Sequence, residues 1–211
     1  LNHKYDFKVK KKRPEELFNK VTDYYKEETL SRYAKSKSMM NIQEKIAIRA
    51  LEILDIEKKD ALILDAGCGP GFTAIYLNEL GFKTVALDII PEFLYFYDIK
   101  DLNPISADMC FPPFKPDSFD AIISISALQW IYRDLNNEIM KNKIINLAKS
   151  FFQILKHNKK AVIQFYPKSK EILENLSKIF VNNTNFQGNL IIDNPNSPKK
   201  RKIFLVLKKE R

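Results

Sequence analysis

The chain has 211 residues, 45% hydrophobic and 29% charged, which suits one soluble, well-packed domain. No apolar run approaches a membrane span and residues 1–13 are basic and polar, so neither a signal peptide nor a transmembrane anchor is expected. The 35 Lys and Arg against 26 Asp and Glu, a formal charge of +9, favour polyanionic partners such as nucleic acid through long-range attraction.

Two cysteines, Cys68 and Cys110, fit a reducing compartment. Neither has metal-ligand spacing, and His3 and His157 are too few to supply it, so no metal site is expected. The chain opens on Leu1, as a trimmed or partial chain would.

Lys8, Lys10, Lys11, Lys12 and Arg13 form a self-repelling run that reads as a solvated tail or, alternatively, as an RNA-binding arm. Residues 14–40, with Phe18, Tyr24, Tyr25 and Tyr33, read as a short helix and a partly ordered lid. The expected organisation is an N-terminal segment over 1–40 and a folded domain over 41–211. Asn41, with Glu44 three residues on, has the pattern of a capping box. Ile42, Ile46, Ile48, Ala50, Leu51 and Leu54 then recur at helical spacing.

The run Leu62-Ile63-Leu64 suits a central parallel strand, covered on both faces, within Ala61 to Ala66. It feeds Asp65-Ala66-Gly67-Cys68-Gly69-Pro70-Gly71, which holds three of the chain's five glycines. Such a turn gives the backbone freedom and clears room for a ligand at the carboxyl end of the sheet. The plain alternative is a glycine turn with no ligand. A helix over Phe72 to Leu80 follows, stopped by Gly81, then a strand from Lys83 to Leu87 ending at Asp88. Pro91 opens a helix expected to reach Asp98. Its aromatics Phe93, Tyr95, Phe96 and Tyr97 are too nearly consecutive to share one core, which leaves a candidate partner surface.

Pro104 to Ala107 reads as a short strand before Asp108-Met109, and the Pro-rich 111–116 stretch as a connector. A buried strand over Phe119 to Ile125 leads to Ser126-Ala127-Leu128-Gln129-Trp130. A helix (Ile139 to Leu155), a strand (Lys159 to Phe165), a helix (Ile172 to Phe180) and two strands (Leu190 to Ile192, Ile203 to Leu207) complete the chain. Alternating strands and helices imply an open, doubly wound α/β sheet, and the last strand pair, lacking a helix between them, brings in antiparallel pairing.

Asp65, Asp88 and Asp108 each follow a strand, and parallel strand ends converge on one edge, where ligands bind. Asp88 is placed to accept hydrogen bonds from both ribose hydroxyls, Asp108 to meet an adenine amino group, and Ile89 and Met109 to flank the ring. Asp65 at the first strand end would repel a pyrophosphate, which argues against a dinucleotide dehydrogenase. It suits the ammonium of S-adenosylmethionine instead.

The Asp65-to-Gly71 sequence resembles motif one of class I methyltransferases, and Asp88 and Asp108 match their later motifs. Tyr33-Ala34-Lys35-Ser36, Ile42-Gln43, Arg49 to Leu54, Ser124 to Trp130 and Gln164-Phe165-Tyr166-Pro167-Lys168 resemble the small-subunit ribosomal RNA guanine-N7 methyltransferases. Asp193-Asn194-Pro195-Asn196-Ser197 and Phe204-Leu205-Val206-Leu207 are similar again, so the resemblance runs from about Arg13 to the end. It departs at Ser38, where family members usually carry Arg, and in lacking the basic C-terminal extension of eukaryotic members.

The resemblance implies a single-domain, Rossmann-like class I methyltransferase fold. Its sheet would have seven mostly parallel strands, helices on both faces and a C-terminal antiparallel strand. It implies S-adenosylmethionine held by Asp65, Gly67, Cys68, Gly69, Asp88, Ile89, Asp108, Met109 and Ser124. The methyl would pass to guanine N7 of small-subunit ribosomal RNA during subunit biogenesis. Gln129 and Trp130 would position the base, with Tyr33, Ser36, Tyr166, Pro167 and Lys168 on the substrate side. It also implies a small zinc-binding activator, seated near Phe93 to Tyr97 or on the edge at Asn103 to Ala107. The expected location is the cytoplasm in a prokaryote, or the nucleus and cytoplasm in a eukaryote. Guanine N7 carries a free lone pair, so the want of a His in this site does not count against the reaction. Alternatives are a tRNA or small-molecule methyltransferase of the same fold, or an RNA-binding assembly factor whose methylation is dispensable.

Overall fold

The computed structural model describes residues 7, 12–56, 60–96, 102–132 and 137–210. The expectations for Lys8, Lys10, Lys11, Tyr97 and Asp98 lie outside these residues. Before the first strand come helices α1 (Pro14–Leu17), α2 (Val21–Tyr24), α3 (Glu27–Ala34) and α4 (Lys37–Leu54). Strand β1 (Leu62–Ala66), α5 (Phe72–Glu79), β2 (Lys83–Asp88), α6 (Pro91–Leu94) and β3 (Ile105–Ser106) follow. Then come β4 (Phe119–Ile125), α7 (Glu138–Ile154), β5 (Leu155–Phe165), α8 (Lys170–Asn182), β6 (Phe186–Asp193) and β7 (Lys202–Lys209).

The sheet order is β3-β2-β1-β4-β5-β7-β6, with β1 pairing parallel to both β2 and β4. Strand β7 runs antiparallel to its neighbours β5 and β6. Of the expected C-terminal pair, therefore, only β7 runs against the sheet; β6 regains the common direction. The strand order switches sides at β1, because β1 sits between β2 and β4. The cleft at their carboxyl ends is thus the place where a ligand fits.

Alternation along each strand splits the core into two layers. Ile63, Ile123, Val162 and Phe204 pack with Ile46, Ala50 and Leu77 of α4 and α5. Leu64, Ile122, Ile163 and Leu205 pack instead with Leu147 and Phe151 of α7 and Leu173 and Phe180 of α8. Both faces of β1 are thus dry, which is why Leu62, Ile63 and Leu64 are all apolar before Asp65. Each such aliphatic side chain contributes about 2 kcal/mol on burial.

Several boundaries differ from the sequence expectation. Ser36, not Asn41, caps α4: its side-chain oxygen accepts from the Met39 N–H at 3.3 Å, and Asn41 lies one turn inside the helix. A serine hydroxyl on extended backbone satisfies an orphan N–H as well as an asparagine would, so the helix starts earlier. The aromatic helix after Pro91 is one turn long, ending at Leu94. The segment expected to be a partly ordered lid forms three short helices. Helix α7 passes directly into β5, whose early residues His157 and Asn158 are exposed and carry no apolar signal.

The cofactor cleft and its neighbours

Three backbone features shape the turn after β1. Gly67, Gly69 and Gly71 all have positive φ, at 75°, 54° and 81°. A Cβ on Gly67 would stand 2.5 Å from Ala127 Cβ, so glycine is required there on both steric and conformational grounds. The Gly67 and Cys68 N–H groups donate to the Leu87 carbonyl at 2.8 and 3.0 Å, tying the turn to the end of β2.

That tie brings the acids together. Asp88 Oδ2 accepts from the Gly69 N–H at 2.7 Å and Oδ1 from the Ile90 N–H at 2.9 Å. Burial raises its pKa to about 6, while these N–H donors pull it back down. Asp65 is 1% exposed, and its Oδ2 has no hydrogen-bond partner. Burial first, then the Asp88 charge, raises it to about 8, against one helping N–H from Ala74. Asp108 accepts from the Cys110 N–H at 2.9 Å through Oδ1.

These groups line a cavity of about 450 Å³ at the carboxyl edge of the sheet. Asp65, Gly67, Cys68, Gly69, Asp88, Ile89, Asp108 and Met109 all contribute to its wall, together with Tyr33 and Trp130. Ser124 is fully buried in β4 and is not part of the wall. The wall combines three carboxylates with apolar and aromatic side chains, and the cavity volume suits a nucleoside-sized ligand. The partnerless Asp65 oxygen calls for a donor or a cation, and the ammonium of S-adenosylmethionine is one. The Asp88 oxygens keep lone pairs for ribose hydroxyls. The residues therefore fit this cofactor.

The other expected residues lie elsewhere. Ser36 is committed to capping α4. Gln129 is buried; its Nε2 donates to the Ser126 carbonyl at 2.8 Å and its Oε1 has no partner. Ser126, at φ 57°, donates through Oγ to Gln164 Oε1 at 3.0 Å, so Gln129 stiffens the loop after β4 rather than lining the cavity. The Tyr166 carbonyl accepts from Arg13 Nη1 at 3.0 Å and from the Tyr132 hydroxyl at 2.7 Å. Its ring is flanked by Arg13 at 4.9 Å and Lys202 at 5.2 Å. Tyr166, buried Pro167 and exposed Lys168 are absent from the cavity wall.

The turns flanking α2 supply wall residues that spacing did not single out, among them Asn19, Lys20 and Tyr25. Phe93 and Lys143 enter from α6 and α7. The aromatic density of residues 18–33 was the available signal, without a periodicity to say which rings turn inward. Tyr33 packs on Phe72 and Phe93, and burial pushes its hydroxyl pKa up to about 12.

The sheet order, the glycine turn and the three acids define an S-adenosylmethionine-dependent methyltransferase of class I. Residues 64–163 match the model of a methyltransferase domain. The chain is 35% identical over 189 residues to the 18S rRNA (guanine-N(7))-methyltransferase of Bos taurus, covering 87% of this chain and 67% of that protein. It is 34% identical to the 18S rRNA (guanine(1575)-N(7))-methyltransferase of Saccharomyces cerevisiae, over 88% of this chain and 68% of that one. The chain belongs to the family of 18S rRNA guanine-N7 methyltransferases. The methyltransferase in a complex with the Trm112 activator from Haloferax volcanii shares the fold. Its TM-score is 0.60 at 16% identity, with 86% of this chain and 98% of that one covered.

Proposed function

We infer that this chain transfers the methyl group of S-adenosylmethionine to N7 of a guanine in small-subunit ribosomal RNA. Its identity of about a third, spread over most of the chain, to relatives named for that reaction carries the inference. The bound cofactor supplies an electrophilic methyl on a sulfonium. The chain's own task is to bind, align and keep water out. Asp65 and Asp88 anchor the two polar ends of the donor, and the glycine turn fixes their spacing. Guanine N7 has a free lone pair, so no side chain must remove a proton, and orientation is the main source of rate. Trp130, in the cavity wall, offers a π face to a base that becomes cationic on methylation. Lys20 in the wall and exposed Lys168 are suited to RNA phosphates.

Residues 41–211 form the methyltransferase domain in this reading, and the segment from Asn19 to Tyr33 covers its cleft. A methyltransferase activator is the expected partner, since a fold neighbour is complexed with the Trm112 activator; the family resemblance adds that it is small and zinc-binding. Its seat is the β3 edge, beside Tyr95 at 84% and Phe96 at 40% exposure. The site of action follows small-subunit assembly: nucleus and cytoplasm in a eukaryote, cytoplasm in a prokaryote. The test incubates the protein, with and without the activator, with methyl-labelled S-adenosylmethionine and small-subunit particles. Label in the small-subunit RNA supports the reading. Label confined to tRNA or small molecules overturns the substrate.

A further inference from the structure

The aromatic residues of the N-terminal helices make one connected cluster that ends on Trp130. The Tyr24 ring stacks on the indole at 5.7 Å with 30° between planes, yet Tyr24 is not part of the cavity wall. One indole face is therefore taken from outside. Tyr25, at the end of α2, does line the cavity. Its ring meets Trp130 at 5.8 Å, tilted by 54°, a direct aromatic contact that must part to admit a base. Tyr25 is held at its back by Phe93 at 5.0 Å and by Tyr33 at 5.1 Å. Tyr33 stands over the cofactor turn, where a Cβ on Gly69 would lie 3.8 Å from its Cε1.

We propose that Tyr25 is a substrate-positioning residue that forms, with Trp130, the slot receiving the target guanine, held in place from the cofactor side by Tyr33. The proposal rests on the substrate reading above and deepens it. Two tilted rings part into a slot more easily than two stacked ones, and Tyr24 closes the alternative face. Tyr33 and Phe93 fix the distance from slot to donor, which in-line transfer requires. The walls are π faces on both sides, suited to a flat base and to the cationic product.

Trp130 is the one tryptophan of the chain, so its emission reports on the slot directly. The experiment titrates the full chain, saturated with S-adenosylhomocysteine, with guanosine monophosphate while following that emission. A second arm measures KM for a small-subunit RNA fragment and, separately, S-adenosylhomocysteine affinity by calorimetry. Tyr25→Leu keeps apolar bulk without a π face, and Tyr25→Phe keeps the ring. The expected result for Tyr25→Leu is loss of the quench and an RNA KM raised about tenfold or more, the scale of one lost base stack. Its S-adenosylhomocysteine affinity stays within about threefold, which also reports an intact fold, and Tyr25→Phe behaves as the parent. A quench that survives Tyr25→Leu, or cofactor affinity that falls as far as the RNA KM rises, overturns the slot. If the parent chain quenches in a Tyr25-dependent way but leaves small-subunit RNA unmethylated, the substrate reading fails and the slot stands.

Discussion

Cofactor binding should depend on pH through Asp65, and the geometry sets the size of the effect. Without a ligand beside it, this carboxyl is buried next to Asp88 and its pKa is raised to about 8. An ammonium at its partnerless Oδ2 favours the ionised form and returns the pKa toward the ordinary carboxylate range. Below pH 8 the empty site must then release a proton to bind, and affinity falls as pH falls, approaching tenfold per unit. Between pH 7.5 and pH 6 this amounts to roughly a twentyfold loss, while the ligand's own ammonium stays protonated throughout. Asp88, at about 6, adds to the loss only near the lower end. The sign for stability is opposite. The folded empty chain keeps a proton that the unfolded chain releases above its ordinary pKa, so the empty protein weakens as pH rises from about 4 to 8. The assay is calorimetry of S-adenosylhomocysteine at pH 6, 6.5, 7 and 7.5, in two buffers of different ionisation enthalpy to count the protons. Asp65→Asn should bind more weakly at pH 7.5 and show a flattened pH slope. A pH-independent affinity in the parent, or an unchanged slope in Asp65→Asn, would refute the role given to this carboxylate.

Other substitutions test separate parts of the account. Gly67→Ala combines φ 75° with a 2.5 Å approach to Ala127. It should lower stability by about 2 kcal/mol or more in urea unfolding and weaken cofactor binding as well. Asp88→Asn sets an amide N–H against the Gly69 or Ile90 N–H, so S-adenosylhomocysteine affinity should fall by about tenfold to a hundredfold in calorimetry. Ser36→Ala should cost about 1 kcal/mol in urea unfolding through the lost cap, with cofactor affinity unchanged. A larger fall in cofactor affinity than in stability would return Ser36 to the site.

The cofactor side of this molecule was legible because local chemistry and sheet register coincide. An apolar run followed by three glycines marks β1, and the parallel register of β1, β2 and β3 then carries the ends at Asp65 and Asp88 to one edge. Asp108 follows just beyond β3, so its place came with the strand. The substrate side was harder to read. Trp130 is more than a hundred residues from Tyr24 and Tyr25, and their meeting depends on how one-turn helices fold back, which no periodicity encodes. Tyr166 has the composition of a base-stacking wall, yet Arg13 and Lys202 occupy the surroundings of its ring. Gln129 has the look of an edge reader, but its Nε2 donates to the Ser126 carbonyl and the side chain lies outside the cavity wall. For Tyr166 the neighbours of the ring are distant in sequence. The same holds for β5, whose start at Leu155 is set by pairing with Phe119 rather than by its exposed residues.

The central claim is that the methyl reaches guanine N7, and the most direct measurement locates it chemically. Small-subunit RNA incubated with the protein, the proposed activator and S-adenosylmethionine is reduced with borohydride and treated with aniline, which breaks the chain at N7-methylguanine. Cleavage is expected at a defined guanine, requires both protein and S-adenosylmethionine, and weakens with Asp88→Asn at limiting S-adenosylmethionine. Methyl incorporation without cleavage, on a ribose hydroxyl or an exocyclic amine, would contradict it.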